Sequence, residues 1–364
     1  CIKFICVFHC NREHKNLPYS EISIWDLSVL PGVLQGNLVQ DLCCTMSLIK
    51  VLTIIALVPV VFNLLKLAWK CWRGLREFVL SEYWKVNLRT YGQWAVVTGA
   101  TSGIGKAYAK QLAQRGLDVI LVSRSDEKLQ VVAKEIEDRY GRKTRTIRVD
   151  FTDGHSIYRA IAKELEGLEI GILVNNVGMT HSDHLAYFLE IPDSEKKITQ
   201  VINCNILSVS QKSVIHLLCR GSGLIINISS EAGNRPHPLF SLYSATKIFV
   251  TYFSQCLHAE YKSKGITVQC VAPLLVSTNM TNNMKVNCFV KSASEYAREA
   301  LNTVGHSSYT SGCLSHALQN MALTVLMPDW LRMSSFFIRV LRNYVDIVKG
   351  QRQACKEDEK FRAC

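Results

Sequence analysis

The sequence has few of the features that mark a fibrous, disordered or disulfide-stapled protein. Its 364 residues include only 8 Pro and 20 Gly, with no internal repeat and no low-complexity tract, which excludes a collagen-like or largely disordered chain. The 14 Cys form no paired CxxC motifs and no CxxC with spaced His, so no metal site is predicted. Their scattered positions, such as Cys204 and Cys270 inside apolar runs, indicate reduced thiols rather than a secreted disulfide scaffold.

The surplus of positive charge is concentrated in one place. The formal net charge of +12 would by itself suit phosphates, acidic lipid or nucleic acid. About half of the surplus comes from cations that lie within or just after one apolar run, at Lys66, Lys70, Arg73, Arg76, Lys85 and Arg89. The chain also lacks the interleaved aromatic and basic residues of single-strand binders, so no nucleic-acid partner is predicted.

The N-terminal part of the chain holds one apolar run long enough to cross a bilayer. Residues 47–69 are almost continuously apolar, with Lys50 and Lys66 near the two ends, where their charged groups can reach the lipid headgroups. We predict a membrane anchor over 46–70 and a basic linker over 71–90. A helix lying on the membrane surface is the alternative, and a signal peptide is disfavoured because no small-x-small cleavage site follows. The cations after the run place the downstream chain in the cytosol.

The first 45 residues are atypical. The chain begins with Cys1 rather than Met, shows no clear periodicity over residues 1–45, and has Met46 directly before the apolar run. We interpret 1–45 as a leader that is not part of the native protein. N-terminal sequencing of the native protein that reads from before residue 46 would contradict this hypothesis.

From Tyr91 onward, short apolar strands alternate with helical segments. Continuous apolar strands are typical of parallel strands covered by helices on both faces of a sheet. The predicted strands are residues 94–98, 119–123, 146–150, 170–174, 223–228 and 266–271. This order predicts an α/β fold, a doubly wound parallel sheet of the Rossmann type that forms a single domain over 91–330.

Two C-terminal segments show no sheet pattern. Residues 279–300 are polar and rich in Asn, and they follow the last predicted strand at the position where a substrate lid would lie. Residues 315–341 are apolar and aromatic, interrupted by Pro328, and could cap the core or lie on a membrane. We assign 331–364 to a C-terminal helix and a charged tail.

The first predicted strand leads into a glycine-rich turn. Gly99, Gly103 and Gly105 lie between this strand and a helix, the context in which backbone N–H groups and a helix N-terminus bind a pyrophosphate. At the end of the second strand, Ser123-Arg124 takes the place of the acidic residue that would bind a ribose 2′-hydroxyl. A cation there favours a 2′-phosphate, so the predicted cofactor is NADP(H). The alternative is that Arg124 is a surface residue without a ligand.

A hydroxyl, a phenol and a cation follow at a spacing that suits acid catalysis. Ser230 ends the fifth predicted strand, Tyr243 comes thirteen residues later, and Lys247 four residues after that. Tyr and Lys at i, i+4 share one face of a helix. We expect Lys247 to lower the pKa of Tyr243, which donates a proton while Ser230 stabilises the developing oxyanion. The motif alone arises by chance in a chain with 13 Tyr, and Ser230 could instead cap the end of a strand.

These motifs resemble the short-chain dehydrogenase/reductase family. The resemblance rests on Thr98–Gly105, Asn175–Gly178, Asn205, Ser230 and Tyr243-x-x-x-Lys247, in the family's order and spacing, and covers about residues 91–280. It implies a catalytic tetrad of Asn205, Ser230, Tyr243 and Lys247, in which Ser230 also binds substrate. It implies cofactor contacts from Gly99, Ser102, Gly103, Ile104, Gly105, Arg124, Asp150, Asn175, Tyr243, Lys247, Val276 and Thr278.

The resemblance also assigns a part to several of these residues. Asp150 would contact the adenine and Asn175 would steady the adenosine side of the cofactor. Val276 and Thr278 would hold the nicotinamide carboxamide. Asn205 would position a water that returns a proton to the site, although a helix Asn can also cap a local turn.

Within the family, runs such as Tyr83–Val86, Gly92–Val96 and Gly167–Met179 resemble the membrane-bound 17β-hydroxysteroid dehydrogenases. This implies NADPH-dependent reduction of a 17-ketosteroid to the 17β-hydroxysteroid, with a 3-oxoacyl-CoA of very-long-chain fatty-acid elongation as the alternative substrate. A catalytically silent binding or scaffold member is a further alternative. The resemblance also implies an apolar ketone ligand, an endoplasmic reticulum membrane with the catalytic domain facing the cytosol, and room for a homodimer.

Two departures from the family pattern concern the edges of the site. Pro273-Leu274 replaces the usual Pro-Gly after the sixth strand. The segment Lys212–Gly223 is a few residues shorter than in relatives and lacks their Leu-Pro-Gly-Met run. The second departure affects the end of the helix that carries Asn205.

Overall fold

A computed structural model describes residues 32–182, 185–191, 193–211 and 221–347. The predicted leader up to residue 31, most of the shortened segment and the tail from residue 348 lie outside the described residues. The chain divides into two compact units with the boundary after Lys70.

The first unit is dominated by one long helix, α1 (Gly32–Gly74). It contains the predicted anchor over 46–70 and begins inside the predicted leader. The helical span Cys44–Tyr83 reaches a mean hydropathy of 2.5 over an 18-residue window, and no part of that window is buried. By length and composition it is a candidate membrane-spanning helix.

The second unit is built on a parallel sheet. Seven strands lie in the order β3-β2-β1-β4-β5-β6-β9, and the described strand pairs are all parallel. Two further short strands, β7 and β8, pair with each other. The bounds are β1 Trp94–Thr98, β2 Asp118–Ser123, β3 Thr144–Arg148, β4 Ile170–Asn175, β5 Gly223–Ile228, β6 Ile266–Val271, β7 Val276–Ser277, β8 Lys291–Ser292 and β9 Tyr309–Thr310.

Helices cover both faces of this sheet, which confirms the predicted doubly wound fold. Two apolar clusters form the core, one between the sheet and helices α2, α3 and α7, the other between the sheet, α4, α6 and the π-helical turn Asn203–Leu207. The helices after α1 are α2 Gly103–Gln114, α3 Asp126–Tyr140, α4 Ile157–Glu164, α5 Ser194–Ile202, α6 Ser241–Tyr261, α7 Ala293–Asn302, α8 Leu314–Leu326, α9 Asp329–Arg332 and α10 over residues 335–347.

The strand order reverses direction between β1 and β4. The chain winds from β1 outward to β3, then returns to the other side of β1 and winds outward through β4, β5 and β6. In open parallel sheets, ligands bind at the carboxyl ends of the strands where this reversal leaves a crevice. The glycine-rich turn after β1 and the loop after β4 therefore flank the expected ligand site.

The polar segment 279–300 is more regular than its sequence suggests. Helix α7 begins within it, and Ser292 caps the helix by accepting a hydrogen bond from the Glu295 N–H at 3.3 Å. Tyr296 and Leu301 on α7 are buried in the core. The range predicted to show no sheet pattern therefore contains the short strand β8 and the start of helix α7, because a short apolar face between charged residues is enough to bury a helix.

Residues 71–90 belong to the second unit and are largely helical. After Gly74 the chain forms a π-helical turn, Leu75–Leu80. Glu77 on this turn is buried and hydrogen-bonds Thr310 and Ser307, and Arg76 Nη2 donates to the His306 carbonyl at 3.0 Å. The segment predicted as a linker is thus fastened to the β9 edge of the sheet.

Candidate active site

The glycine-rich turn between β1 and α2 depends on its glycines. Gly99 and Gly103 have φ of +65° and +53°, a backbone region that favours glycine. At Gly105, a Cβ would lie 2.4 Å from both the Gly99 carbonyl oxygen and Asn176 Nδ2. The first turn of α2 can pass this close to the loop only because Gly105 has no side chain.

The N-terminus of α2 faces this crevice in a form suited to an anion. Ser102 precedes the helix with an extended backbone and, within the described residues, its side chain makes no capping bond, so first-turn N–H groups can face a phosphate. Ile104 anchors the turn by packing on the core. Thr278 lies against Gly103, since a Cβ there would be 3.0 Å from Thr278 Cγ2. Val276 is buried in β7, two residues before Thr278, so the segment after β6 borders the turn as predicted.

The loop after β4 is tied to the turn by Asn176 rather than Asn175. Asn176 Nδ2 donates to the Thr98 carbonyl at 2.9 Å, and the Asn176 N–H donates to Thr98 Oγ1 at 3.0 Å. The Asn175 amide instead donates to Asn227 Oδ1 at 2.8 Å inside the sheet, because alternate side chains of a strand point to opposite faces. Asn175 therefore lies beside Asn227 inside the sheet, and Asn176 is a residue at the glycine-rich turn that sequence reasoning missed.

The end of β2 lies beside the same turn. Ser123 Oγ and Thr101 Oγ1 are 3.0 Å apart and share a hydrogen bond, which places the next residue, the exposed Arg124, at the mouth of the crevice. Asp150 follows β3, where its Oδ1 accepts bonds from the Thr152 N–H at 3.0 Å and the Thr152 hydroxyl at 2.9 Å. The structure therefore brings both predicted cofactor residues to the carboxyl edge of the sheet.

Tyr243, Ser230 and Lys247 come together as the spacing predicts. Tyr243 and Lys247 lie on one buried face of α6, and Tyr243 is hydrogen-bonded to Ser230 at the end of β5. Lys247 Nζ donates to the Ile228 carbonyl at 2.9 Å. Gly233 allows β5 and α6 to approach this closely, because a Cβ there would be 2.6 Å from the Lys247 carbonyl carbon. A proton donor, a second hydroxyl and a cation thus share one pocket.

Asn205 reaches this group from a π-helical turn, Asn203–Leu207, that follows α5. Its Nδ2 donates to the Met179 carbonyl and to Thr246 Oγ1, both at 2.9 Å, and its Oδ1 accepts from the Met179 N–H at 2.8 Å. These bonds hold the loop after β4 against α6. They use both amide hydrogens and leave Oδ1 able to accept one more.

Burial controls the protonation of the catalytic pair. It raises the pKa of Tyr243 to about 12, although the bond with Ser230 opposes the shift, and it lowers the pKa of Lys247 to about 8. Lys247 was expected to bring the Tyr243 pKa below its usual value, but the net shift in this structure is upward, and burial is its largest cause. With Nζ 5.6 Å from the centre of the Tyr243 ring, lost hydration outweighs the attraction between the two groups.

The buried cation gives a stability prediction. A Lys247 pKa of about 8 in place of 10.5 corresponds to a cost of about 3 kcal/mol while the amine is charged. The folded-state pKa is the lower one, so the cost is complete below pH 8 and disappears as the pH rises toward 10.5. We expect Lys247→Met to raise the free energy of unfolding at pH 7 by about 2 kcal/mol, after about 1 kcal/mol for the lost hydrogen bond.

Thermal unfolding in detergent at pH 7 and pH 10 checks this expectation. The gain from Lys247→Met should shrink at the higher pH, and Lys134→Met at an exposed position of α3 serves as the matched control. A lower melting temperature for Lys247→Met at pH 7 would show that its hydrogen bond outweighs the cost of burying the charge.

A series of tilted ring contacts leads from Tyr243 toward the loop after β4. The ring of Phe240 lies 4.5 Å from that of Tyr243, and His181 lies 5.8 Å from Phe240. His181 is almost fully buried, and neither ring nitrogen has a hydrogen-bond partner within the described structure. Burial lowers the His181 pKa, so this imidazole is a neutral polar group beside the site, and no motif in the sequence indicates it.

Residues 93–288 match the profile of the family described as short chain dehydrogenase. The match covers more than half of the chain and contains the glycine-rich turn and the Ser230–Lys247 group. The chain belongs to the short-chain dehydrogenase family. It is accordingly an oxidoreductase, and the family resemblance seen in its motifs is confirmed.

Two curated relatives show how far the similarity extends. The chain is 52% identical to a very-long-chain 3-oxoacyl-CoA reductase of Anas platyrhynchos over 238 residues, which is 65% of this chain and 76% of the relative. It is 46% identical to 17-beta-hydroxysteroid dehydrogenase type 3 of Homo sapiens over 288 residues, 77% of this chain and 91% of the relative. Both substrate classes expected from the sequence are thus represented.

A solved relative has the same fold. A short-chain dehydrogenase from Sphingobium yanoikuyae in complex with NADPH is 27% identical to the chain, with a TM-score of 0.55, and the alignment covers 66% of this chain and 96% of that protein. Its strands and helices support the Rossmann-type assignment independently of the motifs.

Proposed function

We propose that the chain reduces the carbonyl group of a large apolar ketone with NADPH. The observation that carries the proposal is the buried group of Tyr243, Ser230 and Lys247, placed at the carboxyl edge of the sheet where β1 and β4 open the crevice. A protonated phenol beside a second hydroxyl suits a carbonyl oxygen that gains negative charge as the reaction proceeds.

NADP(H) is the proposed cofactor, and it supplies a hydride when bound. The glycine-rich turn at 99–105 would hold its pyrophosphate, and Arg124 would bind its 2′-phosphate through a charge-assisted contact. Thr278, Val276 and Lys247 would hold the nicotinamide half. The NADPH complex of the Sphingobium relative supports this assignment.

The residues of the chain have distinct parts in the proposed reaction. Tyr243, with a pKa near 12, remains protonated at neutral pH and donates its proton to the carbonyl oxygen. Ser230 hydrogen-bonds the same oxygen, and the Lys247 cation favours the tyrosinate that remains. Asn205 fixes the Met179 loop, and its Oδ1 can accept a bond from a water that returns the proton.

A 17-ketosteroid is the first candidate substrate, and the product would be the 17β-hydroxysteroid. The similarity to human 17-beta-hydroxysteroid dehydrogenase type 3 extends over 288 residues and 91% of that protein, against 238 residues and 76% for the duck reductase. The apolar candidate anchor suits a substrate that partitions into lipid.

A long-chain 3-oxoacyl-CoA is the second candidate. The higher identity, 52%, is to a very-long-chain 3-oxoacyl-CoA reductase. A 3-oxoacyl thioester carries a second carbonyl close to the ketone. His181 beside Phe240 has no hydrogen-bond partner among the described residues and could donate to such an oxygen.

Steady-state kinetics with both substrates separates the two candidates. Purified full-length chain in lipid vesicles is given NADPH and either androstenedione or a long-chain 3-oxoacyl-CoA. We expect the higher kcat/KM with the steroid. Efficient turnover of the thioester alone would replace the first candidate by the second.

The reduction should lose efficiency at alkaline pH. Lys247, with its pKa of about 8, loses its charge as the pH rises, whereas Tyr243 keeps its proton. We expect kcat/KM for NADPH to fall about tenfold per pH unit above pH 8. A profile that stays level to pH 10 would mean that the charge of Lys247 does not support the reaction.

We further propose that the protein is held in the endoplasmic reticulum membrane with its catalytic domain in the cytosol, where a homodimer can form. The candidate anchor helix and the cations from Lys66 to Arg89 support this orientation. Protease protection in sealed microsomes tests it, because a cytosolic domain is digested without detergent.

A further inference from the structure

The C-terminal helices of the domain carry apolar side chains that face outward. On α8, Leu314, Leu318, Met321 and Val325 are all exposed, and their spacing places them on one face of the helix. The fully buried His316 marks the opposite, inward face. A helix at a water-exposed surface normally has polar residues on its outer face. The outer face of α8 is apolar instead, which is unfavourable for contact with water.

The same pattern continues on the following helices. Phe336, Val340, Tyr344 and Ile347 on α10 are exposed at helical spacing, and Trp330 on α9 is 76% exposed. We call the exposed apolar side chains of α8 and α10, together with Trp330, the apolar C-terminal face. Exposed apolar side chains in this number, repeated at helical spacing on two helices, indicate a binding surface rather than scattered exposure.

Helix α10, which carries part of this face, is bonded to a loop that leads to Tyr243. Arg342 on α10 makes two bonds to the Glu190 carboxylate, at 2.7 and 3.2 Å, and lies over the Tyr187 ring. The same loop exposes Leu189 almost completely. At its start, the Ala186 N–H donates to the Leu239 carbonyl at 3.1 Å, and the next residue after Leu239 is Phe240, whose ring packs at a tilt against Tyr243.

A lipid surface is the occupant that these observations favour. Arg76 and Glu77 follow the apolar run of α1 within a few residues and are bonded to the β9 edge of the sheet, and α8 begins four residues after β9. Only a few residues of chain therefore separate the apolar run from residues bonded at the edge where the face begins. Trp330 and Tyr344, with the exposed Arg339 between them, are the residue types that prefer the boundary between lipid and water.

We propose that the apolar C-terminal face lies in the membrane surface and that the ketone reaches Tyr243 from the lipid along the 186–190 loop. The docking of the face stands without any assumption about the reaction. The route of the ketone rests on the proposed function.

Fluorescence of Trp330 tests the docking directly. The full-length chain is placed in phosphatidylcholine vesicles with and without bromine on the acyl chains, and the Trp330 signal is taken as the difference between wild type and Trp330→Phe. We expect brominated lipid to quench most of this difference. The matched control is Trp94→Phe, whose buried ring in the core should give a difference signal that lipid does not quench. An unquenched Trp330 signal overturns the proposal.

Substitutions on the face test the route. We expect Leu318→Glu with Met321→Glu to raise KM roughly tenfold when the ketone is measured per mole of lipid, with kcat unchanged. Val131→Glu on α3, equally exposed, should change neither constant.

If the pair leaves KM unchanged while Trp330 is quenched, the lipid route is wrong and the docking stands. If the pair instead splits a dimer in detergent and Trp330 is unquenched, the face binds a second copy and the proposal fails. Quenching in a chain that reduces no ketone would refute the proposed function alone.

Discussion

Tyr243→Phe is expected to lower kcat for ketone reduction by about 10²–10⁴-fold, the contribution typical of a positioned general acid. Phe keeps the ring that packs against Phe240 at 4.5 Å and removes only the hydroxyl that Ser230 bonds. Because α6 and the glycine-rich turn are unchanged, the affinity for NADPH should stay within about twofold. Stopped-flow reduction and NADPH fluorescence measure the two quantities separately.

Two further variants serve as comparisons for Tyr243→Phe. Tyr252→Phe changes a highly exposed Tyr on the same helix and should leave kcat unchanged. Ser230→Ala should lower kcat by about 10²-fold, since one oxyanion donor is lost. If Tyr243→Phe kept the full cellular function of the protein, the alternative of a catalytically silent scaffold would be correct.

Arg124→Glu is expected to reverse the choice of cofactor. Arg124 lies at the mouth of the crevice next to the Ser123–Thr101 hydrogen bond, and its cation would contact the 2′-phosphate of NADPH. Loss of a charge-assisted bond costs about 1.5–3 kcal/mol, and a carboxylate adds repulsion. We expect kcat/KM for NADPH to fall by about 100-fold, while NADH, which has no 2′-phosphate, is used as well as before or better.

The control for Arg124→Glu is the same change of charge, from a cation to a carboxylate, at another exposed position. Lys134→Glu alters an exposed cation on α3 and should leave the ratio of the two cofactors unchanged. A wild-type preference for NADH, or an unchanged ratio in Arg124→Glu, would remove Arg124 from the cofactor site and leave it as a surface residue.

The inner strands of the sheet could be predicted because they are buried on both faces. Five of the strands, β1 and β4 among them, correspond to short runs of mostly apolar residues in the sequence. The strand β9, Tyr309–Thr310, has only two residues and is held by its pairing with β6, which no local pattern reveals. Helix α7 was missed for a related reason, since its buried Tyr296 and Leu301 are surrounded by polar residues.

The site could be predicted where spacing along one element decides geometry. Tyr243 and Lys247 share a helix face, and the glycine-rich turn must lie between β1 and α2. Asn176 and His181 act through tertiary contacts, so the sequence does not distinguish Asn176 from the adjacent Asn175. The direction of the Tyr243 pKa shift depends on burial, which the Tyr-Lys spacing does not reveal.

At the N-terminal boundary of the domain, too, the sequence does not reveal which tertiary contacts form. The apolar run was recognised from composition, and its helix continues beyond it at both ends, from Gly32 to Gly74. The following segment was interpreted as a linker because of its cations. Glu77, a carboxylate buried against Thr310 and Ser307, is what fixes this segment to the domain, and its partners lie far away in the sequence.

Transfer of deuterium from NADPH is the measurement that tests the central claim most directly. Full-length chain in vesicles is incubated with androstenedione and NADPH that carries deuterium at the reactive carbon of the nicotinamide, and the product is examined by mass spectrometry. The account predicts a 17β-hydroxysteroid with deuterium on the carbinol carbon, formed by wild type and lost in Tyr243→Phe. Product without deuterium, or equal labelling by Tyr243→Phe, would contradict reduction by hydride transfer with Tyr243 as the proton donor.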